Sequence, residues 1–127
     1  MKRAIQRTLE ALRKMGYDAD ICERWVNGAR IRKDLFGWAD IIAMDGRQIV
    51  AVQACMSGLR DHQRKMAGYH KTIARWIESG GRVELWFWRH VRKKRKYVAK
   101  VYAAVVESDN IIGWRLISDG SCGNREK

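Results

Sequence analysis

The stretch of residues 33–55, KDLFGWADIIAMDGRQIVAVQAC, constrains the fold most, because it predicts two adjacent strands with polar residues at their outer ends. Its two apolar runs are separated by a segment that begins with Asp45-Gly46, and this pattern is typical of a β-hairpin. Asp40 precedes the first strand, and Gln53-Ala54-Cys55 ends the second. The segment therefore brings a carboxylate and an amide to the same end of a sheet.

The length of the hairpin loop decides whether Asp40 and Gln53 can meet. A two-residue loop places Asp40 opposite Ala51 and diagonal to Gln53, whereas a four-residue loop, 45–48, places it directly opposite Gln53. A three-residue loop would turn Asp40 to the other face. Gln53 and Cys55 share a face in every case, because residues two apart along a strand point the same way.

An aspartate that begins one strand, followed by a Glu-x-Lys that ends the next, is the signature of the PD-(D/E)XK nuclease superfamily, which this chain resembles. The layout is close to a phage-type branch that is similar to the archaeal Holliday-junction resolvases, over roughly residues 1–90. Four short phrases carry the likeness: Glu23-Arg24-Trp25, Asp34-Leu35-Phe36-Gly37, Asp40-Ile41-Ile42-Ala43 and Val52-Gln53-Ala54-Cys55. Gln53 stands where the family usually has Glu, and Cys55 where it usually has Lys.

The length of 127 residues predicts a single domain, 1–127. The resemblance implies a restriction-endonuclease-like α/β core with a mixed sheet flanked by helices. It also implies Mg²⁺ or Mn²⁺ bound by Asp40, by the side-chain oxygen of Gln53 and by the backbone carbonyl of Ala54. Because Gln53 lacks the charge of a glutamate, Glu23 or Asp34 would have to restore it. The resolvase-like members work as dimers, which implies a homodimer here.

The lysine of the family orients the attacking water and stabilises developing charge, and the neutral thiol of Cys55 is poorly suited to either task. A cation from the following helix could substitute. Lys65 is the best placed by sequence, followed by Arg64 and His62.

Net charge indicates an anionic partner. The chain carries 26 Lys and Arg against 14 Asp and Glu, a net charge of +12, and much of the excess is clustered. DNA is the first candidate, ahead of RNA, an acidic protein or a membrane surface. The predicted contacts lie in a loop, on a helix and at the tip of a second hairpin: Arg30, Arg32, Lys33, Arg60, Arg64, Arg92, Lys93, Lys94, Arg95 and Lys96.

Hydrophobic periodicity predicts the element order α-β-β-β-α-β-β-β. The predicted segments are a helix at 2–15, a strand within 17–26, a loop at 27–33, the hairpin at 39–55, a long helix at 58–79 with Ser57 as its N-cap, strands at 82–88, 97–106 and 111–117, and a flexible tail at 118–127. The sequence shows no apolar run long enough for a membrane span and no secretory signal, and its three cysteines form no disulfide framework, so a cytoplasmic location is expected, that of a host cell if the protein is phage-encoded.

Two functions compete. The first is a metal-dependent DNA endonuclease that acts on branched or otherwise structured DNA; the second is a nuclease fold that has lost its chemistry and serves as a DNA-binding module. Asp40 and the basic segments fit both, and Gln53-Ala54-Cys55 favours the second. Weaker alternatives use Cys55 as a nucleophile with His62 or His70, or as a zinc ligand with His62, Cys22 or His90.

Overall fold

A computed structural model describes residues 3–109 and 111–119, with only the backbone of Arg32. The chain runs through α1 (Ala4–Lys14), β1 (Asp18–Ile21), β2 (Arg24–Val26), β3 (Ile31–Lys33), β4 (Ile41–Met44), β5 (Ile49–Cys55), α2 (Leu59–Ala67), α3 (His70–Glu78), β6 (Arg82–Val91), β7 (Lys96–Ser108) and β8 (Ile111–Ser118). Six strands form one sheet in the order β1-β4-β5-β6-β7-β8. Only β5 and β6 are parallel, so the predicted mixed α/β class is confirmed.

Helices cover both faces of the sheet, because the side chains of β5 alternate between two cores. Val50 and Val52 pack in the cluster that contains the apolar face of α1. Ala51 and Cys55 pack in the cluster that contains Met66 of α2 and Ile73 of α3. The central strand is therefore buried on both sides, as is usual for a strand in a mixed sheet between helices.

The predicted first helix is confirmed and ends where glycine allows the chain to turn. Its face is buried through Ile5, Leu9 and Leu12. Gly16 has a φ of +97°, and the N–H of Tyr17 donates to the carbonyl of Leu12 at 3.0 Å. This is a Schellman-type ending, in which a residue with positive φ closes the last turn.

The prediction of one long helix at 58–79 is wrong, because the segment forms two helices separated by a break. Gly68 and Tyr69 separate α2 from α3, and Tyr69 leaves helical geometry with a φ of −109° and a ψ of 26°. The predicted N-cap Ser57 is also wrong, since the N-cap is Gly58 with a φ of 66°. Among the residues that the structure describes, no helix is long and apolar enough to cross a membrane.

A small two-stranded sheet replaces the predicted loop at 27–33. The predicted first strand divides into β1, which joins the main sheet, and β2, which pairs antiparallel with β3. We call residues 24–33 the arm. The observed order is therefore α-β-β-β-β-β-α-α-β-β-β rather than the predicted one with three strands between two helices.

The first hairpin has the four-residue loop that was one of the two permissive cases. Met44 pairs with Ile49, which leaves residues 45–48 as the loop. The Asp45 carboxylate accepts hydrogen bonds from the N–H groups of Arg47 and Gln48 at 2.9 and 3.0 Å, which lowers the pKa of that carboxyl. The register therefore places Asp40 directly opposite Gln53 at the open end of the hairpin.

The second hairpin is confirmed, with β6 and β7 antiparallel and an exposed turn at residues 92–95. Trp86 and Trp88 pack in the core under α1, whereas Leu85 and Phe87 pack on the opposite side of the sheet. The last predicted strand is also found, as β8, and it extends to Ser118. Residues 120–127 of the predicted tail lie outside the described part of the chain.

Replacing Thr8 by valine tests how α1 is held on the sheet. The fully buried Thr8 hydroxyl accepts a hydrogen bond from the indole N–H of Trp88 at 2.8 Å. Because valine has nearly the same shape but no acceptor, we expect Thr8→Val to lower the free energy of unfolding by about 1–3 kcal/mol. Ser79→Ala is the control, since Ser79 is exposed and water can replace the hydrogen bond that its hydroxyl donates to the carbonyl of Arg75 at 2.8 Å. Equal losses in urea unfolding would contradict this account.

Candidate active site

A cavity of about 290 Å³ opens at the carboxyl end of β5, where Asp40 and Gln53 meet. Four parts of the chain build it: the start of α1, the base of the arm, the open end of the first hairpin and α2. Its lining consists of Arg3, Ala4, Ile5, Glu23, Asp34, Asp40, Gln53, Ala54, His62 and Lys65.

Asp40 is buried, with 2% of its surface exposed, and hydrogen bonds hold its carboxyl group in place. The amide nitrogen of Gln53 and the backbone N–H of Ala54 both donate to Asp40 Oδ2, the latter at 3.0 Å. The backbone N–H of Asp40 itself donates to the carbonyl of Val52 at 2.8 Å. The hairpin therefore fixes the carboxylate and the amide against each other.

Burial raises the pKa of Asp40 to about 8. Loss of hydration is the main cause, and the hydrogen bond and negative charge of nearby Asp34 add to it, against the stabilising N–H groups of Ala54 and Gln53. Without a cation in the cavity, this carboxyl group is therefore mostly protonated at neutral pH.

Three carboxylates converge in the cavity. One oxygen each from Glu23, Asp34 and Asp40 lies within 4.8 Å of the others. The arm brings the first two together, because Glu23 directly precedes Arg24 and Asp34 directly follows Lys33, and Arg24 and Lys33 are paired. Carboxylate oxygens this close are the donors that a hard divalent cation prefers, so the residues fit Mg²⁺ or Mn²⁺.

Lys65 reaches into the cavity from α2. Its ammonium nitrogen donates to Asp34 Oδ2 at 3.1 Å and to Gln53 Oε1 at 3.3 Å. It thus lies between the Asp34 carboxylate and the Gln53 amide. Arg64, the second predicted substitute for the motif lysine, pairs instead with Asp61 on the exposed side of α2.

His62 also lines the cavity, but its charge is disfavoured there. Burial and the nearby Lys65 ammonium lower the pKa of its imidazole, and its Nδ1 atom is buried without a hydrogen-bond partner among the described residues. At neutral pH His62 is therefore a neutral group rather than a substitute for the motif lysine.

Cys55 lies in the core and does not line the cavity. It packs with the side chains of α2 and α3, and burial, followed by the charge of Asp40, raises the pKa of its thiol to about 11. A thiol with this pKa is not a nucleophile at neutral pH. Among the described residues, the acidic trio is the one cluster of three or more His, Cys, Asp or Glu side chains close enough to share a metal, so the cysteine–zinc alternative has no assembled site.

Arg3 lines the cavity, although no sequence pattern predicts it there. Its guanidinium donates to Glu23 Oε1 at 3.2 Å. Nothing in the local pattern singles it out, because its position depends on how α1 packs against the sheet.

The second hairpin, which we call the basic hairpin because its turn at residues 92–95 is cationic, projects from the same end of the sheet as the cavity. β6 runs parallel to β5, and Cys55 is paired with Phe87, so β6 continues four residues beyond the end of β5. The turn 92–95 is therefore displaced about 13 Å past that end, at 3.3 Å per residue. Arg7 of α1 lies over the ring of Tyr97 at the base of this hairpin, 3.7 Å from its centroid.

The remaining residues that the sequence predicts to contact DNA lie on the arm, on α2 and at the turn of the second hairpin. Arg30 and Lys33 are exposed on the arm, Arg60 and Arg64 are exposed on α2, and residues 92–96 are all exposed. For Arg32 the structure gives its place in β3 opposite Trp25.

No family model, no curated protein and no solved structure matches this chain. Its function must therefore be argued from the cavity and its surroundings.

Proposed function

We propose that this protein is a metal-dependent DNA endonuclease of the PD-(D/E)XK type, in which residues from outside the usual motif complete the site. The observation that carries the proposal is the position of the Lys65 ammonium, beside Gln53 and within reach of a carboxylate of the acidic trio. The motif at Gln53-Ala54-Cys55 lacks both a negative and a positive group, and the cavity contains both.

The acidic trio supplies the charge that Gln53 lacks. Glu23, Asp34 and Asp40 would hold Mg²⁺ or Mn²⁺, with the amide oxygen of Gln53 and the carbonyl of Ala54 as further oxygen donors. Such an ion, when bound, activates water near neutral pH and neutralises charge on the phosphate. The mixed sheet with helices on both faces is compatible with the restriction-endonuclease-like core that the motif implies.

The protein's own groups have separable tasks in this reaction. Lys65 offers N–H donors and a full positive charge to the phosphate oxygens as negative charge develops on them. The N–H of Ala54 keeps the Asp40 carboxylate pointed into the cavity. The lowered pKa of His62, caused by burial and then by the Lys65 ammonium, favours a neutral imidazole beside the site.

The surrounding charges favour DNA as the substrate. The basic hairpin extends beyond the cavity, and the exposed cations of the arm and α2 flank it, so a phosphate backbone can contact several of them at once. Contacts of this kind hold and orient nucleic acid without reading its sequence. A branched or otherwise structured DNA suits a site flanked by cationic segments on more than one side.

One observation favours the second candidate, a DNA-binding module without catalysis. Gln53 presents its amide N–H to Asp40, and Asp40 has a pKa of about 8, so the resting site stores less negative charge than its three carboxylates suggest. If a cation cannot displace that proton, the fold would retain DNA binding alone.

A cleavage assay separates the two candidates. Supercoiled plasmid, linear duplex and a four-way junction are incubated with the protein in Mg²⁺, Mn²⁺ or EDTA, and Asp40→Asn purified in the same way controls for contaminating nuclease. We expect cutting in either metal, none in EDTA and none by the variant. Salt-sensitive binding of all three DNAs with no cutting in any metal would establish the binding module instead.

A homodimer is part of the proposal, because two-fold cleavage of a junction needs two active sites. Sedimentation equilibrium of the protein with and without an uncut four-way junction in Ca²⁺ measures it. Two chains per junction are expected, and one chain per junction at saturation would contradict the dimer.

A further inference from the structure

Trp25 on the arm is exposed in a way that packing does not explain. It lies in the middle of β2, and 53% of its surface is accessible. Large aromatic side chains contribute most to stability when buried, so an exposed tryptophan beside a functional cavity indicates a contact surface.

The arm places Trp25 close in the chain to the acidic trio. Glu23 directly precedes β2, and Trp25 is the middle residue of that strand. Glu23 contributes a carboxylate oxygen to the trio, and Asp34, which directly follows β3, contributes another. The Cα atoms of Glu23 and Trp25 are therefore at most about 7 Å apart.

The charge of the arm fits a nucleotide. Residues 24–33, RWVNGARIRK, contain four cationic side chains and no acidic one. Arg32 is paired with Trp25 across the arm, and Arg30 is exposed in the turn beyond it. An aromatic ring near cations is an arrangement with which proteins hold single-stranded nucleic acid, because bases stack on the ring while the cations contact phosphates.

We propose that Trp25 is the stacking position for an unpaired DNA base next to the phosphate held at the cavity. Trp25 is two residues along the chain from Glu23 of the acidic trio, so the base nearest the held phosphate is the candidate for stacking. A base in continuous duplex has both faces stacked on its neighbours and cannot offer one to the indole. The protein therefore prefers DNA with an unpaired nucleotide at the site; the identification of the substrate as DNA rests on the proposed function.

The test measures binding in Ca²⁺, so that it does not depend on cleavage. Fluorescence anisotropy compares a continuous duplex, the same duplex with a three-nucleotide gap, and a single strand. Trp25→Ala should weaken binding to the gapped and single-stranded DNA by about 5- to 100-fold, the usual range for one stacked base, and change duplex binding less than about 2-fold. If Trp25→Ala loses the same affinity for the single strand and for the gapped duplex, Trp25 stacks on any unpaired base. If it loses affinity for the gapped duplex alone, Trp25 stacks on a base at the junction between duplex and single strand.

Two further variants control for structure. Trp25→Phe keeps a stacking ring and should retain most of the affinity for gapped DNA. Leu116→Ala removes a side chain of similar exposure, 47%, from β8 and should change no affinity. A Trp25→Ala protein that binds all three DNAs like the wild type, or loses affinity equally for all three, would overturn the proposal.

The wild-type protein provides an independent readout. 2-Aminopurine placed in the gap loses fluorescence when an aromatic ring stacks on it, so saturating protein should quench it, and Trp25→Phe should do the same. Undiminished fluorescence at saturation would overturn the stacking proposal even if Trp25→Ala failed to fold. Quenching by a protein that cuts no DNA in any metal would support the stacking position while removing the proposed nuclease activity.

Discussion

Replacing Lys65 by alanine is expected to reduce the rate of metal-dependent DNA cleavage by about 100- to 1,000-fold at saturating DNA, the usual loss when one electrostatic donor is removed from a reacting oxyanion. The Lys65 ammonium is 3.3 Å from Gln53 Oε1 and lines the cavity at the end of β5. Single-turnover cleavage of the preferred substrate measures the rate.

The same variant should bind its metal more tightly. Lys65 pairs with Asp34 at 3.1 Å, so its removal leaves the acidic trio with more net negative charge. Titration with Mn²⁺, followed by electron paramagnetic resonance of the free ion, is expected to give a lower dissociation constant for Lys65→Ala than for the wild type. Slow cleavage together with tight metal binding would separate a role in catalysis from a role in building the site.

Arg64→Ala is the matched control for Lys65. This substitution removes the same charge from the same helix, but the Arg64 side chain pairs with Asp61 and is 78% exposed. We expect its single-turnover rate at saturating DNA to stay within about 2-fold of the wild type, because an exposed ion pair contributes little. If Lys65→Ala cleaved as fast as Arg64→Ala, Lys65 would have no part in the reaction.

The contact between Asp40 and Gln53 could be predicted from sequence, because it depends only on the loop length and on the alternation of side chains between the two faces of a strand. Once residues 45–48 form the loop, side-chain alternation places the two groups on one face without further information. The approach of Lys65 was also predictable, since the helix after β5 begins close to the end of that strand. These features are local, within about 30 residues of chain.

The break between α2 and α3 could not be predicted from periodicity. Met66 and Ile73 are both fully buried and lie seven residues apart, as they would in one continuous helix. The spacing survives because the turn at Gly68 and Tyr69 preserves the direction of the apolar face. Tyr69 instead packs against Gly37, where an added Cβ would lie 2.5 Å from its ring, a contact between distant segments that no local pattern encodes.

The arm was missed because its strands are short and exposed. β2 and β3 have three residues each, and their side chains show none of the apolar alternation that marks a strand packed on a core. The burial of Cys55 could not be predicted either. Gln53 and Cys55 share a face of β5, yet Gln53 lines the cavity and Cys55 packs in the core. Which end of a face meets solvent is decided by the helices that pack on it.

Asparagine at position 40 is expected to abolish cleavage and, in EDTA at neutral pH, to stabilise the fold. The folded-state pKa of Asp40 is about 8, whereas the ordinary value is 3.8. The folded protein therefore binds a proton that the unfolded chain releases, so its stability is greatest at low pH and decreases as pH rises from about 4 to about 8. At pH 7 the wild type is therefore less stable than at pH 4, by an amount on the order of a few kcal/mol.

Asparagine resembles the protonated carboxyl group and does not titrate. Its amide oxygen can accept from the N–H of Ala54 and from Gln53, as Asp40 Oδ2 does, and its amide nitrogen can donate to Asp34. Urea unfolding in EDTA at pH 4.5, 6 and 7.5 should therefore show a stability difference between Asp40→Asn and the wild type that grows with pH. Asp18→Asn, an exposed change in β1, should differ from the wild type by less than about 0.5 kcal/mol throughout.

Metal should reverse this order of stability. A divalent ion that binds the acidic trio stabilises the folded wild type, because binding only to the folded state adds to its free energy of unfolding. Asp40→Asn loses one of the three carboxylates and should gain much less stability from Mn²⁺. A pH-independent difference in EDTA would show that Asp40 is ionised in the resting protein, and equal stabilisation of both proteins by Mn²⁺ would show that Asp40 is not a ligand. The pH-dependent stability of the metal-free protein and its stabilisation by metal thus both depend on the buried Asp40 carboxyl group, and Asp40→Asn tests both.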